Sequence, residues 1–332
     1  MNIIKPNKLK KGDTLGIVAT STTINVAGEE SVKRGYDYLR SKGFKIVEAP
    51  NCRKTYGHAA GTIQKRVDAL HQMFENPEID GIMAFWGGFQ SHQLLEYLDY
   101  KLIKRNPKPF IGYSDTTALG VGIFAKTGLV TFSGPAVVTF TSPKVIPYSW
   151  EYFEKVLMSG KTPLTIKPSA TYTDNKWYLR KDKKVILEKA EGWKTYNSGK
   201  AEGQIIGGNL GTMLLLNGTD YWPDLRGKIL FVEEDEEETS KTIDRLFTKL
   251  RQIGTFDQIK GLVVGRFQTE TEFSKKDSFE MILKDALKGY DIPVLYDVDF
   301  GHTQPLLTIP MGIRCRLDAG KKQITYLESA VN

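Results

Sequence analysis

The stretch "KPFIGYSDTTALGVGIFAKTG", residues 108–128, decides the fold. An apolar run ending at Tyr113 passes through Ser114 into a helical segment rich in small residues. Ser114 at that junction is either an N-cap or a nucleophile lifted clear of a sheet where a strand turns sharply into a helix. G-x-S at such an elbow suits a nucleophile, but Thr116 stands where the α/β-hydrolase pattern has its second glycine. Taken alone, the stretch fits both readings.

Working outward, the same strand-then-helix unit recurs. "TLGIVATS" (14–21), "FKIVEAP" (44–50) and "IDGIMAFWGG" (79–88) read as strands. "AGEESVKRGYDYLRSKG" (27–43), "IQKRVDALHQMFENP" (63–77) and "SHQLLEYLDYKLI" (91–103) read as helices. This alternation predicts an α/β domain over residues 1–142, a doubly wound and mostly parallel sheet with helices on both faces. Residues 143–203 carry more Pro, Lys, Tyr and Trp with weak periodicity, and are expected to form a connecting segment and active-site loop. Strands and helices resume over 204–332, where a final antiparallel pattern predicts a smaller, mixed α/β domain.

Open parallel sheets bind ligands beyond the carboxyl ends of their strands. After the first strand, "ATSTT" fits ordinary Ser/Thr capping better than an anion site. After the third, "WGGFQSH" offers Gly87 and Gly88 for close backbone approach, and a helix start that includes His92 as a substrate contact. A plain tight turn accounts for the same residues equally well. The third junction is Ser114.

A serine nucleophile needs a base. Of His58, His71, His92 and His302, the last is best placed, in the loop "GHTQPLLTIPMG" directly after an apolar strand. A carboxylate must then orient it. "KILFVEEDEEE" puts Glu233 at the end of a buried strand, where an acid without a partner is costly. A solvated acidic loop accounts for Glu236, Glu237 and Glu238, and fits Glu233 poorly.

Composition removes other classes. The chain has 332 residues, 40% hydrophobic and 26% charged, enough for a real core. Its net charge of +7 comes from 46 Lys and Arg interleaved with 39 acids, a solvated surface and not a nucleic-acid footprint. Cys52 and Cys315 form no metal-spaced pair, and a reducing compartment is the default. No apolar run reaches membrane-spanning length and the N-terminus has no apolar signal segment, so a cytoplasmic protein without membrane or nucleic-acid partners is expected. A periplasmic-type binding protein shares the outline but does not need Ser, Glu and His at three junctions. A dinucleotide-dependent oxidoreductase needs a G-x-G-x-x-G turn, which "ATSTTINVAG" lacks.

Several ordered motifs carry a family resemblance: "NPKPFIGYSDTTAL", "KTGLVTFSGPA", "IIGGNLGTMLLLNGTDYWPDLRGKILFVEE" and "DFGHTQPLLTIPMG". Together with "GTIQKRVDALHQMF", "IMAFWGG" and "LDYKLI" they span nearly the whole chain, which resembles the LD-carboxypeptidase family of serine peptidases. The resemblance implies a two-domain homodimer with Ser114 as nucleophile, His302 as base and Glu233 as orienting acid. It further implies an oxyanion hole from the Gly88 and Asp115 amides, and no metal or cofactor. Muropeptide-trimming members typically read GGYG in the third-strand turn, where this chain reads "GGFQ". That departure, with the Trp-bearing connector, leans toward the microcin-immunity branch, which cleaves peptidyl- and aminoacyl-adenylates. In that branch Trp177 or Trp193 is expected to stack on the base, although a packing role suits either indole as well. The alternative substrate is a muropeptide tetrapeptide, with release of its terminal D-alanine.

Overall fold

The computed structural model describes residues 2–176, 184–235 and 237–332. Five short strands, β1 (Thr14–Val18), β2 (Lys45–Glu48), β3 (Gly81–Ala84), β4 (Phe110–Gly112) and β5 (Phe132–Ser133), pair in parallel in the order β2-β1-β3-β4-β5. β1, β3 and β4 are almost wholly buried, as near-continuous apolar strands covered on both faces must be. Helices α1 (Glu29–Ser41), α2 (Ile63–Glu75), α3 (Tyr100–Arg105) and α4 (Thr116–Thr127) alternate with them. Strand order reverses between β1 and β3, which makes the crevice beyond their carboxyl ends the natural ligand site.

Residues 91–103, expected as one helix, form two pieces. A 3₁₀ helix Ser91–Tyr97 ends at extended Leu98, and Asp99 then starts α3 by accepting from the amides of Lys101 and Leu102 at 2.8 and 2.9 Å. Asp is a strong N-cap, so it opens a new helix in preference to continuing an old one. The Asp99 amide donates to His71 Nε2 at 2.9 Å, a structural role for that histidine.

The second sheet is mixed. Its strands are β6 (Leu164–Ile166), β9 (Lys194–Asn197), β10 (Lys200–Asn209), β11 (Ile229–Glu233), β12 (Gly261–Gly265), β13 (Val294–Val298), β15 (Arg314–Asp318) and β16 (Gln323–Tyr326); β7 (Thr171–Tyr172) and β8 (Glu188–Lys189) pair separately, and β14 (Ile309–Pro310) lies elsewhere. β10 to β13 run parallel, and the strands outside them pair antiparallel. The segment 143–203 is more than a connector, because it contributes β6 and β9, the two edges of this sheet.

Two features fuse the sheets. β14 leaves the second half of the chain and pairs antiparallel with β5, closing the edge of the first sheet. α4 is buried around its circumference, with Ala125 and Lys126 the exceptions, which marks a helix enclosed by protein and not one lying on a surface. Among the described residues no helix is long and apolar enough to cross a membrane.

Candidate active site

Ser114 sits between β4 and α4 with φ 61°, a left-handed conformation that costs a non-glycine residue roughly 1–3 kcal/mol. The cap reading fails on geometry. The residue flanking α4 is Asp115, with no side-chain cap bond, and the Ser114 carbonyl accepts from the Thr117 amide at 2.9 Å. A second contact pins the elbow: the Ser91 amide donates to Asp115 Oδ2 at 2.9 Å and the Ser91 hydroxyl to the Asp115 carbonyl.

The turn after β3 lies against this elbow. A Cβ on Gly87 would stand 2.8 Å from Ser114 Oγ and 3.0 Å from the Asp115 nitrogen, so only glycine lets the backbone come this close. Gly88 has φ 142°, and a Cβ there would run into Ser21 Oγ and Thr22 Oγ1. Among the described residues, neither the Gly88 nor the Asp115 amide donates to a protein acceptor. Ser21, dismissed from sequence as ordinary capping, organises the turn. Its hydroxyl accepts from the Phe89 and Gln90 amides at 2.9 and 3.0 Å and donates to Gln90 Oε1 at 2.8 Å. The glutamine of "GGFQ" thus closes a bond that a glycine there cannot make. A Ser at the end of β1 beside a Gly-Gly turn at the point of strand reversal was the available signal.

His302 and Glu233 meet from the other sheet. Glu233 is the last residue of β11 and 2% exposed, and its Oε2 lies 2.7 Å from His302 Nδ1. Gly301, at φ 103°, makes room, since a Cβ there would stand 2.7 Å from the same oxygen. Burial pushes the imidazole down, but the Glu233 charge and hydrogen bond, with Asp235 and Glu234 behind them, reverse this and hold it up to about 9. The His302 ring packs edge-on against Tyr113, the neighbour of Ser114, with centroids 5.1 Å apart. The loop is anchored at both ends, by β14 in the first sheet and by Asp299 in the second. Asp299 is fully buried, 3.0 Å from Arg266 Nη2, and accepts from the Ser169 amide at 2.9 Å.

A cavity of about 400 Å³ opens beside His302. Trp86, Tyr113 and Val26 are among its apolar lining, and Asn175, Gln268 and Gln304 among its polar lining. Its wall is stitched to the base loop, because Thr173 and Gln304 exchange two backbone bonds of 2.8 Å. One expected substrate contact is corrected. Trp193 is fully buried and donates from Nε1 to Asp299 Oδ2 at 2.8 Å, so its indole is packing and has no face to offer a ligand. Neither His92 nor Ser114 is among the residues that line this cavity. Trp177 lies outside the described residues. Trp86, which the sequence reading passed over, is the indole on the cavity wall, held by its Nε1–H donating to the Thr22 carbonyl at 3.0 Å.

Two family profiles and several known proteins match the chain over most of its length. The sequence profile of the LD-carboxypeptidase N-terminal domain matches residues 15–134, and that of the C-terminal domain matches 202–317. The microcin C7 self-immunity protein of Escherichia coli is 38% identical over 334 residues, spanning 96% of this chain and 94% of its own. A Bacillus subtilis protein named "Probable murein peptide carboxypeptidase" is 29% identical over 320 residues, 96% and 92% of the two chains. The solved structure of the microcin C7 self-immunity protein in complex with aspartyl sulfamoyl adenosine superimposes with a TM-score of 0.91 at 35% identity, covering 99% of this chain and all of the other.

Proposed function

The chain belongs to the LD-carboxypeptidase family of serine peptidases, and from that premise we propose that it hydrolyses the amide bond of peptidyl- or aminoacyl-adenylates with Ser114, Glu233 and His302. The 2.7 Å His302–Glu233 pair, with the His302 ring packed on Tyr113 next to a serine in a left-handed elbow, carries the reading. Ser114 Oγ attacks the scissile carbonyl carbon while its proton passes to His302 Nε2, and Glu233 at Nδ1 holds the ring in place and balances its charge. The Asp115 and Gly88 amides receive the oxyanion. His302 then returns the proton to the leaving amine, and water, deprotonated by the same ring, releases the acyl group.

The substrate class rests on the cavity. A lining that combines the aromatic rings of Trp86 and Tyr113 with polar side chains suits a nucleoside, which needs a ring surface and hydrogen-bonding partners. On the adenylate reading, W177A is expected to raise KM for an adenylate. Similarity to a murein peptide carboxypeptidase supports the second reading, D-alanine release from a muropeptide tetrapeptide. Incubation with aspartyl sulfamoyl adenosine and with the tetrapeptide, followed by mass spectrometry, separates them: aspartate release supports the first, and D-alanine alone overturns it. The family resemblance further supports a cytoplasmic homodimer, which light scattering tests as a mass near twice that of the chain.

A further inference from the structure

Glu234 follows Glu233 at the carboxyl end of β11 and is 3% exposed. Neighbouring residues of an extended chain point to opposite sides, so the two carboxyls diverge. Glu233 reaches His302, whereas Glu234 turns to the end of β10. There Glu234 Oε2 accepts from Asn209 Nδ2 at 3.0 Å, and Oε1 accepts from the Gly211 amide. Asn209 is fully engaged. Its Oδ1 accepts from the Thr212 amide at 3.0 Å, and its own amide donates to Thr117 Oγ1 at 3.0 Å. Thr117 in turn donates from its amide to the Ser114 carbonyl at 2.9 Å. An unbroken run of hydrogen bonds therefore crosses from the strand that bears the acid to the elbow that bears the serine.

We propose that Glu234 is a positioning residue, which through Asn209 and Thr117 holds Ser114 in register with the Glu233–His302 pair. The proposal rests on the serine-hydrolase reading above. Both partners of Glu234 are donors, so an ionised carboxylate, with two acceptor oxygens, satisfies them best. Among the described residues, the charged groups around it are Glu233 and Asp235 on its own strand end and His302 on the loop opposite; β10, α4 and the short helix Leu210–Leu214 present the uncharged Asn209, Thr117 and Gly211. Burial, then repulsion from Glu233, pushes Glu234 up to about 8, so the carboxylate forms as pH rises toward the range in which His302 deprotonates, and there its charge helps hold His302 protonated.

A fluorophosphonate probe tests this without commitment to a substrate. Labelling forms a Ser114 Oγ–phosphorus bond as the phosphorus–fluorine bond breaks, with fluoride leaving and the hydroxyl proton passing to His302. E234Q keeps the shape but opposes one donor with another, and should label about tenfold more slowly in a folded protein. T117V breaks the same run from its far end, so the double variant should be no slower than E234Q alone, within about twofold. E234Q should also move the acid limb of the labelling rate to lower pH, because a negative charge near His302 is gone, whereas T117V, which keeps that charge, should slow labelling with the limb in place. A wild-type rate and limb in E234Q, or losses that multiply in the double variant, overturn the proposal. Should E234Q fail to fold, an unchanged rate in T117V overturns it instead. Labelling of S114A, or no labelling of the wild type, removes the serine reading and this proposal with it.

Discussion

The nucleophile half and the acid–base half of the site are held by different means. Ser114 is fixed by main-chain geometry: a three-residue strand, a left-handed serine, a helix enclosed except at Ala125 and Lys126, and glycines that allow backbone to touch backbone. His302 is fixed by side chains that reach far along the sequence, to Glu233 69 residues away and, through Asp299, to Trp193 106 residues away. The first kind of site tolerates almost no change in shape. The second depends on charge as well as shape, since Gly301 leaves no room for a side chain beside Glu233.

That contrast can be broken most severely at its centre. S114A is expected to lower turnover by about 10⁴- to 10⁶-fold while a substrate still binds, which single-turnover and binding measurements separate. G87A comes next. Its methyl would stand 2.8 Å from Ser114 Oγ and beside the Asp115 amide, so kcat should fall by about 10²- to 10³-fold with little change in Tm, as when an oxyanion donor is lost. Gly88→Val is a poorer probe of the same hole, because its side chain would displace Ser21 and Thr22 and disturb the turn itself.

On the acid–base side, pH sharpens the comparison. Glu233 holds His302 up to about 9 against burial, so the resting base is protonated at neutrality. The expected kcat/KM therefore climbs about tenfold per pH unit from neutrality toward pH 9 and then levels. Stability moves the other way. The folded value lies above the ordinary 6.5, so the stabilising contribution is complete below pH 6.5 and lost as pH rises to about 9. Denaturant titrations across that window should show the decline in the wild type and not in E233Q. The smallest effect on chemistry is expected from W193F. It removes one of the donors to buried Asp299 and should cost about 1–3 kcal/mol of stability, with kcat within twofold below the unfolding transition.

The same division explains what could be read from the sequence. Local patterns announced the alternating strands and helices of the first domain and the elbow at Ser114, because periodicity and turn residues act over a few positions. Ser114, His302 and Glu233 each stood at a strand end, where an exposed hydroxyl, a loop imidazole and a buried acid stand out against an apolar run. Partners chosen by the tertiary fold were silent. Nothing beside Trp193 in sequence indicates Asp299, so an aromatic in a polar segment was assigned to a ligand. β6 and β9 are short, and their pairing is set by the sheet they join, which made residues 143–203 look like a loop. Ser21 looked like any capping serine until the Gly87–Gln90 turn was folded against it.

β14 has a consequence for inheritance. This two-residue strand belongs by sequence to the second half and by pairing to the first, where Ile309 and Pro310 lie beside Ser133 and Phe132. Cutting the chain at residue 142 would bare the β5 edge and leave an adhesive strand without its cover. Genetic exchange between relatives therefore cannot treat the halves as interchangeable cassettes: a transplanted second half brings the first half's border strand with it, and the base loop travels on the same piece.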